Sequence, residues 1–282
     1  MSEASLPLGV MVDVSHRDPH ETLRRVKNMG FTTCQLGNPP SEYLHGPRAH
    51  DLTAHLRAAV ADTGVNITAV FIMFSGHVWD LKDGPRTIGL VPTETRGERI
   101  VHACRMSRWA LEAGIGTVTS HVGFIPDEDV AYASFLNTMT AFCGYVRDNG
   151  QLFAFETGQE TALVLKRTIE DIGMDNVGVN LDPANLLLYD KDDPVAAVDL
   201  IGRYVFNTHC KDGVRPQPGE YLGQEMPLGE GAVDFGALIP KLHRMGYRGP
   251  LTIEREIEGD QQIADIERAA RILSGIRKTL IG

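Results

Sequence analysis

Eight short apolar runs, each followed by an amphipathic stretch, divide this 282-residue chain from end to end. The runs are LGVMVD (8–13), TTCQLG (32–37), ITAVFIM (67–73), GTVTSH (116–121), LFAFE (152–156), VGVNLD (177–182), YVFNTH (204–209) and LTIERE (251–256). Each has the length of one strand and is nearly continuously apolar, the pattern of a parallel sheet covered on both faces. The stretches between them repeat apolar residues at helical spacing. Six of these stop at Gly30, Gly64, Gly114, Gly150, Gly173 and Gly246, because the left-handed residue that ends a helix is most easily a glycine. Eight strand–helix units in about 270 residues match the count and size of a (β/α)8 TIM barrel. The expectation is therefore an α/β fold with one domain over residues 1–282. The alternative, a doubly wound open sheet, calls for a Gly-rich turn after the first strand, and VDVSHRDPH offers none.

The formal charge of −10 argues against nucleic acid or an anionic membrane surface as a partner. No run approaches the roughly 18 apolar residues that span a bilayer. The start, MSEASLPLGV, lacks the basic and apolar regions of a secretory signal. Cys34, Cys104, Cys143 and Cys210 form no close pair, which suits reduced thiols and a cytoplasmic location. Cys210 adjoins His209, but strand alternation turns it to the opposite face.

Four of the runs finish on a side chain able to hold a metal: Glu156, Asp182, His209 and Glu254. Burying an unpaired carboxylate beside an apolar strand is costly. Four such residues at four successive strand ends point to one shared partner, a divalent cation. In a barrel, strands 5 to 8 converge at one side of the mouth. Three carboxylates and one imidazole make an oxygen-rich site that favours Mn2+, with Mg2+, Co2+ or Zn2+ as alternatives. The competing account pairs each acid separately with a Lys or Arg and leaves His209 as a hydrogen-bonded core residue.

The order Glu, Asp, His, Glu at these strand ends resembles the xylose isomerase-like barrels, in particular the sugar isomerase/epimerase branch that includes ketose 3-epimerases and inosose dehydratase. The similarity extends over nearly the whole chain. It is carried locally by NLDPANL (180–186), HCKDG (209–213), LGEGAVDF (228–235) and GYRGPLTIERE (246–256). The resemblance implies a metal held by Glu156, Asp182, His209 and Glu254, with Glu156 and Glu254 also carrying protons. It implies a substrate contact for Arg215, six residues after the ligand histidine, and a homodimer or homotetramer. At one position the chain departs from the epimerases: they carry a substrate-binding His three residues after the ligand aspartate, where this chain has Asn185.

The chemistry is coherent without the resemblance. Removing a proton beside a carbonyl requires a base within hydrogen-bond reach and a stabiliser for the oxygen that gains charge. A divalent ion is such a stabiliser. Carboxylates on opposite sides of a sugar can take a proton from one face and return it to the other, and Glu156 and Glu254 flank the cluster. The expected substrate is a small carbohydrate. Secondary candidates for contacting it are His121, Gln35, Lys211 and Trp79, with Phe74 as a further apolar wall and Glu230 in the LGEG turn. Lys211 and Asp212 could instead orient His209 or a sugar hydroxyl, and Glu256, two residues beyond Glu254 on the same strand face, could support the ligands. Two long connections, 75–95 and 211–233, follow strands 3 and 7 and belong on the same face of a barrel.

Three other functions remain open on sequence grounds. A lyase acting on a keto-sugar, keto-inositol or 3-oxo-glycoside would use the same site, and Asn185 favours it. A binding barrel without turnover would need no metal. An endonuclease IV type of DNA-repair enzyme would require a histidine-rich trinuclear zinc site, which few strand-end histidines and the acidic charge disfavour.

Overall fold

The computed structural model describes residues 6–281. Eight parallel strands close into a barrel: β1 (Leu8–Val12), β2 (Thr33–Leu36), β3 (Asn66–Phe71), β4 (Thr117–Ser120), β5 (Leu152–Glu156), β6 (Val177–Leu181), β7 (Val205–Cys210) and β8 (Leu251–Ile253). All eight fall on the apolar runs read from the sequence. Closure is made by β1, which pairs with β2 on one side and with β8 on the other, Leu8 opposite Leu251. Strands β2, β4 and β6 are buried along their whole length, as expected when helices cover the outside and side chains fill the interior.

The glycine stops lie where expected. Gly64, Gly114 and Gly173 are left-handed C-caps. Gly30, Gly150 and Gly246 follow caps at Met29, Asn149 and Met245 and also carry positive φ. N-termini are fixed by side chains: Asp18, Glu128, Thr161, Asp193 and Asp234 each accept from backbone N–H groups of the first turn. No helix among the described residues is long and apolar enough to cross a membrane.

Both long connections lie on the C-terminal face, and both are held in place. The first is stapled by two buried arginines of the helix Thr93–Ala113. Arg99 donates to the carbonyls of Ser75, Thr87 and Gly89, and Arg96 to that of Leu90. Gly89 runs so close to Val122 that a Cβ there would lie 2.1 Å from its carbonyl carbon. The second connection contains a short antiparallel ribbon, Asp212–Val214 with Gln224–Met226. Asp212 organises the rest of it, accepting from the N–H groups of Gly213, Gly229, Gly231 and Val233. The two connections meet through Leu81 N–H and Tyr221 O, 2.8 Å apart. A satellite apolar cluster forms there, with Ile88, Leu188 and Tyr189 buried and Trp79, Leu81, Phe124 and Leu222 packed on them.

Candidate active site

Each of the four strand-end residues is positioned by its own strand. Glu156 is the last residue of β5, and His209 is the penultimate residue of β7. Asp182 directly follows β6 and caps the helix Pro183–Leu188, accepting from Asn185 N–H at 3.0 Å. Glu254 directly follows β8. Thr157 ties two of these ends together: its hydroxyl donates to Asp182 O at 2.7 Å and accepts from Asp182 N–H at 2.8 Å. One ligand atom from each of the four residues lies within 4.8 Å of the others.

The cluster is dense in charge. His209 Nδ1 is 2.9 Å from a Glu156 oxygen and 3.2 Å from a Glu254 oxygen. The Lys211 ammonium is 2.9 Å from Asp182, 3.1 Å from Glu254 and 3.2 Å from Glu256. Burial pushes the Glu156 carboxyl up, against the pull of His209. Burial likewise pushes Asp182 well up, with Lys211 opposing and the Glu156 and Glu254 charges adding to the rise. Burial disfavours charge on Glu254 too, but there His209 and Lys211 prevail and hold it well below the usual range. Burial alone would lower His209; Glu156 and Glu254 instead hold it well above its ordinary value. The protein's own cations therefore leave Glu156 and Asp182 short of positive charge. That shortage, with three carboxylates and an imidazole nitrogen around one point, fits a divalent cation.

A chain of hydrogen bonds links and supports two of the four ligands. His209 Nε2–H donates to Gln35 Oε1 at 3.0 Å, and Gln35 Nε2 donates to Asn180 Oδ1 at 3.1 Å. Asn180 Nδ2 in turn donates to Glu156. The chain places a proton on Nε2 and leaves Nδ1 as the nitrogen that faces the carboxylates, the orientation in which a histidine usually meets a metal. Gln35 thus lies fully buried beneath the site, 0% exposed, and acts on His209. Asn180 was not among the residues singled out from the sequence. Its signal was present, since it stands two residues before Asp182 on the same face of an otherwise apolar strand.

A cavity of about 630 Å3 opens above the cluster. Glu156 and Glu254 face it, as do Lys211, His121, Asn185, Trp79 and Glu256, while Asp182 and His209 lie beneath. His121 Nδ1–H donates to Gln159 Oε1 at 3.1 Å, and burial lowers the His121 pKa to about 3. The Trp79 and His121 rings meet at 5.2 Å. Asn185 Nδ2 is buried without a hydrogen-bond partner. Phe71 supplies the apolar wall expected of Phe74, which packs instead against His77 and His102.

Arg215 stands apart from the cavity lining. Its guanidinium is engaged by the Asp190 carboxylate and by Asp192 O at 2.7 Å. The spacing from His209 sets distance along the chain, but the ribbon at Asp212–Val214 carries Arg215 toward the loop after the helix Pro183–Leu188. Glu230 is likewise engaged elsewhere, by Arg268. Cys210 is buried against Thr208 on the far face from the ligand atoms. Glu160, which the sequence reading passed over, is buried with neither carboxyl oxygen hydrogen-bonded, and burial raises its pKa to about 8.

The model of the xylose isomerase-like TIM barrel family matches residues 23–277. The chain belongs to that family. A solved xylose isomerase domain protein from Planctomyces limnophilus is 34% identical, with 98% of this chain and 99% of that one covered at a TM-score of 0.90. A xylose isomerase-like TIM barrel protein from Mycobacterium smegmatis, solved in complex with magnesium, superposes over 100% of both chains at 19% identity and a TM-score of 0.73. At that identity the likeness shows the fold alone. The Escherichia coli (strain K12) protein named "Putative L-ribulose-5-phosphate 3-epimerase SgbU" is 34% identical over 93 residues, and the match spans 32% of each chain. Other solved barrels with the same fold, both below 20% identity, are named L-ribulose 3-epimerase and D-psicose 3-epimerase.

Proposed function

We propose that this xylose isomerase-like barrel is a divalent-metal-dependent isomerase or epimerase of keto-sugars. The observation that carries the reading is the placement of Glu156 and Glu254. Both carboxylates face the cavity, and both approach the same His209 nitrogen from different strands. A sugar carbon held between them is open to a base on one face and an acid on the other. Mn2+ is the favoured ion, with Glu156, Asp182, His209 and Glu254 as its ligands. When bound, it would supply Lewis-acid stabilisation to oxygens of the substrate beside the reacting carbon.

The remaining roles belong to the chain itself. Lys211 keeps Glu254 ionised and fixes its position against Asp182. Gln35 and Asn180 hold His209 and Glu156 in register. His121 and Asn185 present polar atoms to substrate hydroxyls, and Trp79 offers a face to a sugar ring. Several barrels of the same fold are named ketose 3-epimerases, which agrees with this reading, and one is named a probable dehydratase.

Asn185 favours a second reading. Its unpartnered amide replaces the imidazole that ketose epimerases use on substrate, so β-elimination from a keto-sugar through the same proton abstraction is the alternative. Incubation of the Mn2+-loaded protein with a keto-sugar in D2O separates the two. Epimerisation places solvent deuterium on carbon in a product of unchanged formula, whereas elimination loses water. Absence of both deuterium uptake and water loss across a panel of keto-sugars would defeat both readings.

A further inference from the structure

Beside the charged cluster, three side chains close on a glycine in the turn after β5. A Cβ at Gly158 would lie 3.2 Å from Asn185 Cβ, 3.4 Å from Tyr189 Cδ2 and 3.5 Å from His121 Cε1. All three of those side chains line the cavity, and the next residue in the chain, Gln159, does not. Gln159 is 2% exposed, and its Oε1 lies 3.1 Å from His121 Nδ1. A carboxamide oxygen can only accept, so the proton in that bond belongs to Nδ1. Burial keeps His121 neutral, and the Lys211 ammonium adds to the effect. A divalent cation at the four strand ends would act in the same direction. A neutral imidazole carries one N–H, so Nε2 is left with a bare lone pair. The ring is gripped edge to face by Trp79 at 5.2 Å and Phe71 at 5.6 Å, which opposes a turn that would exchange the two nitrogens.

The opposite polarity stands next to it. Asn185 is 4% exposed, and its Nδ2 is buried without a hydrogen-bond partner. Buried donors are nearly always met, because leaving one unpaired is costly. One patch of the cavity wall therefore offers a lone pair from His121 and an N–H from Asn185, both against Gly158. A hydroxyl group satisfies the two together, donating to one and accepting from the other. An ether or carbonyl oxygen accepts only, and leaves His121 Nε2 unmet.

We infer that Gln159 is a positioning residue: by holding the His121 proton on Nδ1 it makes Nε2 the acceptor for a substrate hydroxyl, whose oxygen takes a hydrogen bond from Asn185. Gln159 touches no substrate and acts through the imidazole. The hydroxyl contact rests on the keto-sugar reading of the site, whereas the placement of the proton does not.

Nitrogen-15 NMR of the histidine-labelled, Mg2+-loaded protein reads the proton directly, Mg2+ being chosen because it is diamagnetic. The His121 signals are those lost in His121→Gln. Near neutral pH the parent should show Nδ1 protonated and Nε2 bare. Gln159→Met keeps the length of the side chain and removes its carbonyl acceptor, so Nε2 should gain the proton in much of the population. Gln159→Glu keeps an acceptor and should hold the proton on Nδ1, and Asn185→Ala should leave the parent's pattern. Deuterium exchange into D-fructose, D-tagatose and L-ribulose by the Mn2+-loaded protein supplies the functional readout. For the sugar that exchanges fastest, Gln159→Met should raise KM at least about tenfold with kcat within about threefold, and Gln159→Glu should recover most of that loss. Protonated Nε2 in the parent overturns the inference, as does a Gln159→Met variant with the parent's tautomer or the parent's KM. An equal rise in KM for the Met and Glu variants would mark Gln159 as packing alone and overturn it too. The expected tautomers with no exchange into any of the three sugars would sink the keto-sugar reading and the hydroxyl contact, and keep the proton placement. Exchange with the wrong tautomer would sink the inference and keep that reading.

Discussion

The two halves of the barrel mouth differ sharply in chemistry. Strands β5 to β8 deliver three carboxylates, His209 and Lys211 to one crowded point. Strands β1 to β4 and the connection after β3 deliver Met11, Phe71, Met73, Trp79 and a neutral His121 to the facing surface. Gln35 belongs to the second half by sequence, yet it reaches under the first to fix His209. The charged cluster and the apolar surface are thus carried largely by different strands of one fold, although Leu188, Tyr189 and Leu222 of the apolar lining follow β6 and β7. Changes on the first half should alter turnover or metal retention, and changes on the second should alter substrate affinity.

The comparison is broken most severely at Glu254. Glu254→Gln keeps the shape of the side chain and removes its basicity, so turnover should fall at least about 10²-fold. Steady-state kinetics at saturating Mn2+ checks this, and near-normal turnover would remove Glu254 from the proton transfer. The next effect crosses the boundary between the halves. Gln35→Leu deletes the acceptor of the His209 Nε2 proton, and loss of such a partner costs about 10–100-fold in metal affinity. Titration with Mn2+ should show that loss, while kcat at saturating metal stays near that of the parent. An unchanged metal affinity would mean that the hydrogen-bond chain through Gln35 and Asn180 does not position His209.

Effects on the apolar half should be smaller and confined to binding. Trp79→Ala should raise KM by about tenfold and leave kcat within about threefold, since tenfold corresponds to about 1.4 kcal/mol of lost ring contact. A large fall in kcat with KM unchanged would place Trp79 in the chemistry. The smallest effect is a matter of pH. The His121 pKa is lowered by burial to about 3 from its ordinary 6.5. Below the ordinary value the unfolded chain takes up a proton that the folded chain refuses, so stability is lost as pH falls. Between pH 7 and pH 5.5 that loss is about 1 kcal/mol by linkage. Denaturant melts of the parent and His121→Gln should show this loss in the parent and its absence in the variant. Parallel pH profiles would show that His121 does titrate normally in the folded chain.

The fold was legible because a parallel barrel writes itself into sequence twice, as continuous apolar strands and as glycines at helix ends. The four candidate ligands were legible for a related reason. An acid at the end of an apolar run has a burial cost that must be met, and Glu156, Asp182 and Glu254 all carry that mark. Asn180 was less visible because an amide is an ordinary buried residue, and only its hydrogen bonds to Gln35 and Glu156 reveal its role. Arg215 could not be placed from spacing, since the ribbon at Asp212–Val214 decides where it goes and its contact lies with Asp190. Phe71 and Phe74 are three residues apart, and which of them faces the cavity depends on where β3 ends. The connections were visible as long, but the arginine staples that fix them, Arg96 and Arg99, lie on a helix whose buried face gives no hint of polar function.

The claim at the centre is that the four strand ends hold one divalent cation. Elemental analysis of the purified protein dialysed against Mn2+, beside Asp182→Ala and Glu156→Gln, tests it most directly. About one equivalent of Mn2+ per chain in the parent, lost or strongly reduced in both variants, is the expected result. A parent that retains no metal, or variants that retain as much as the parent, would contradict it.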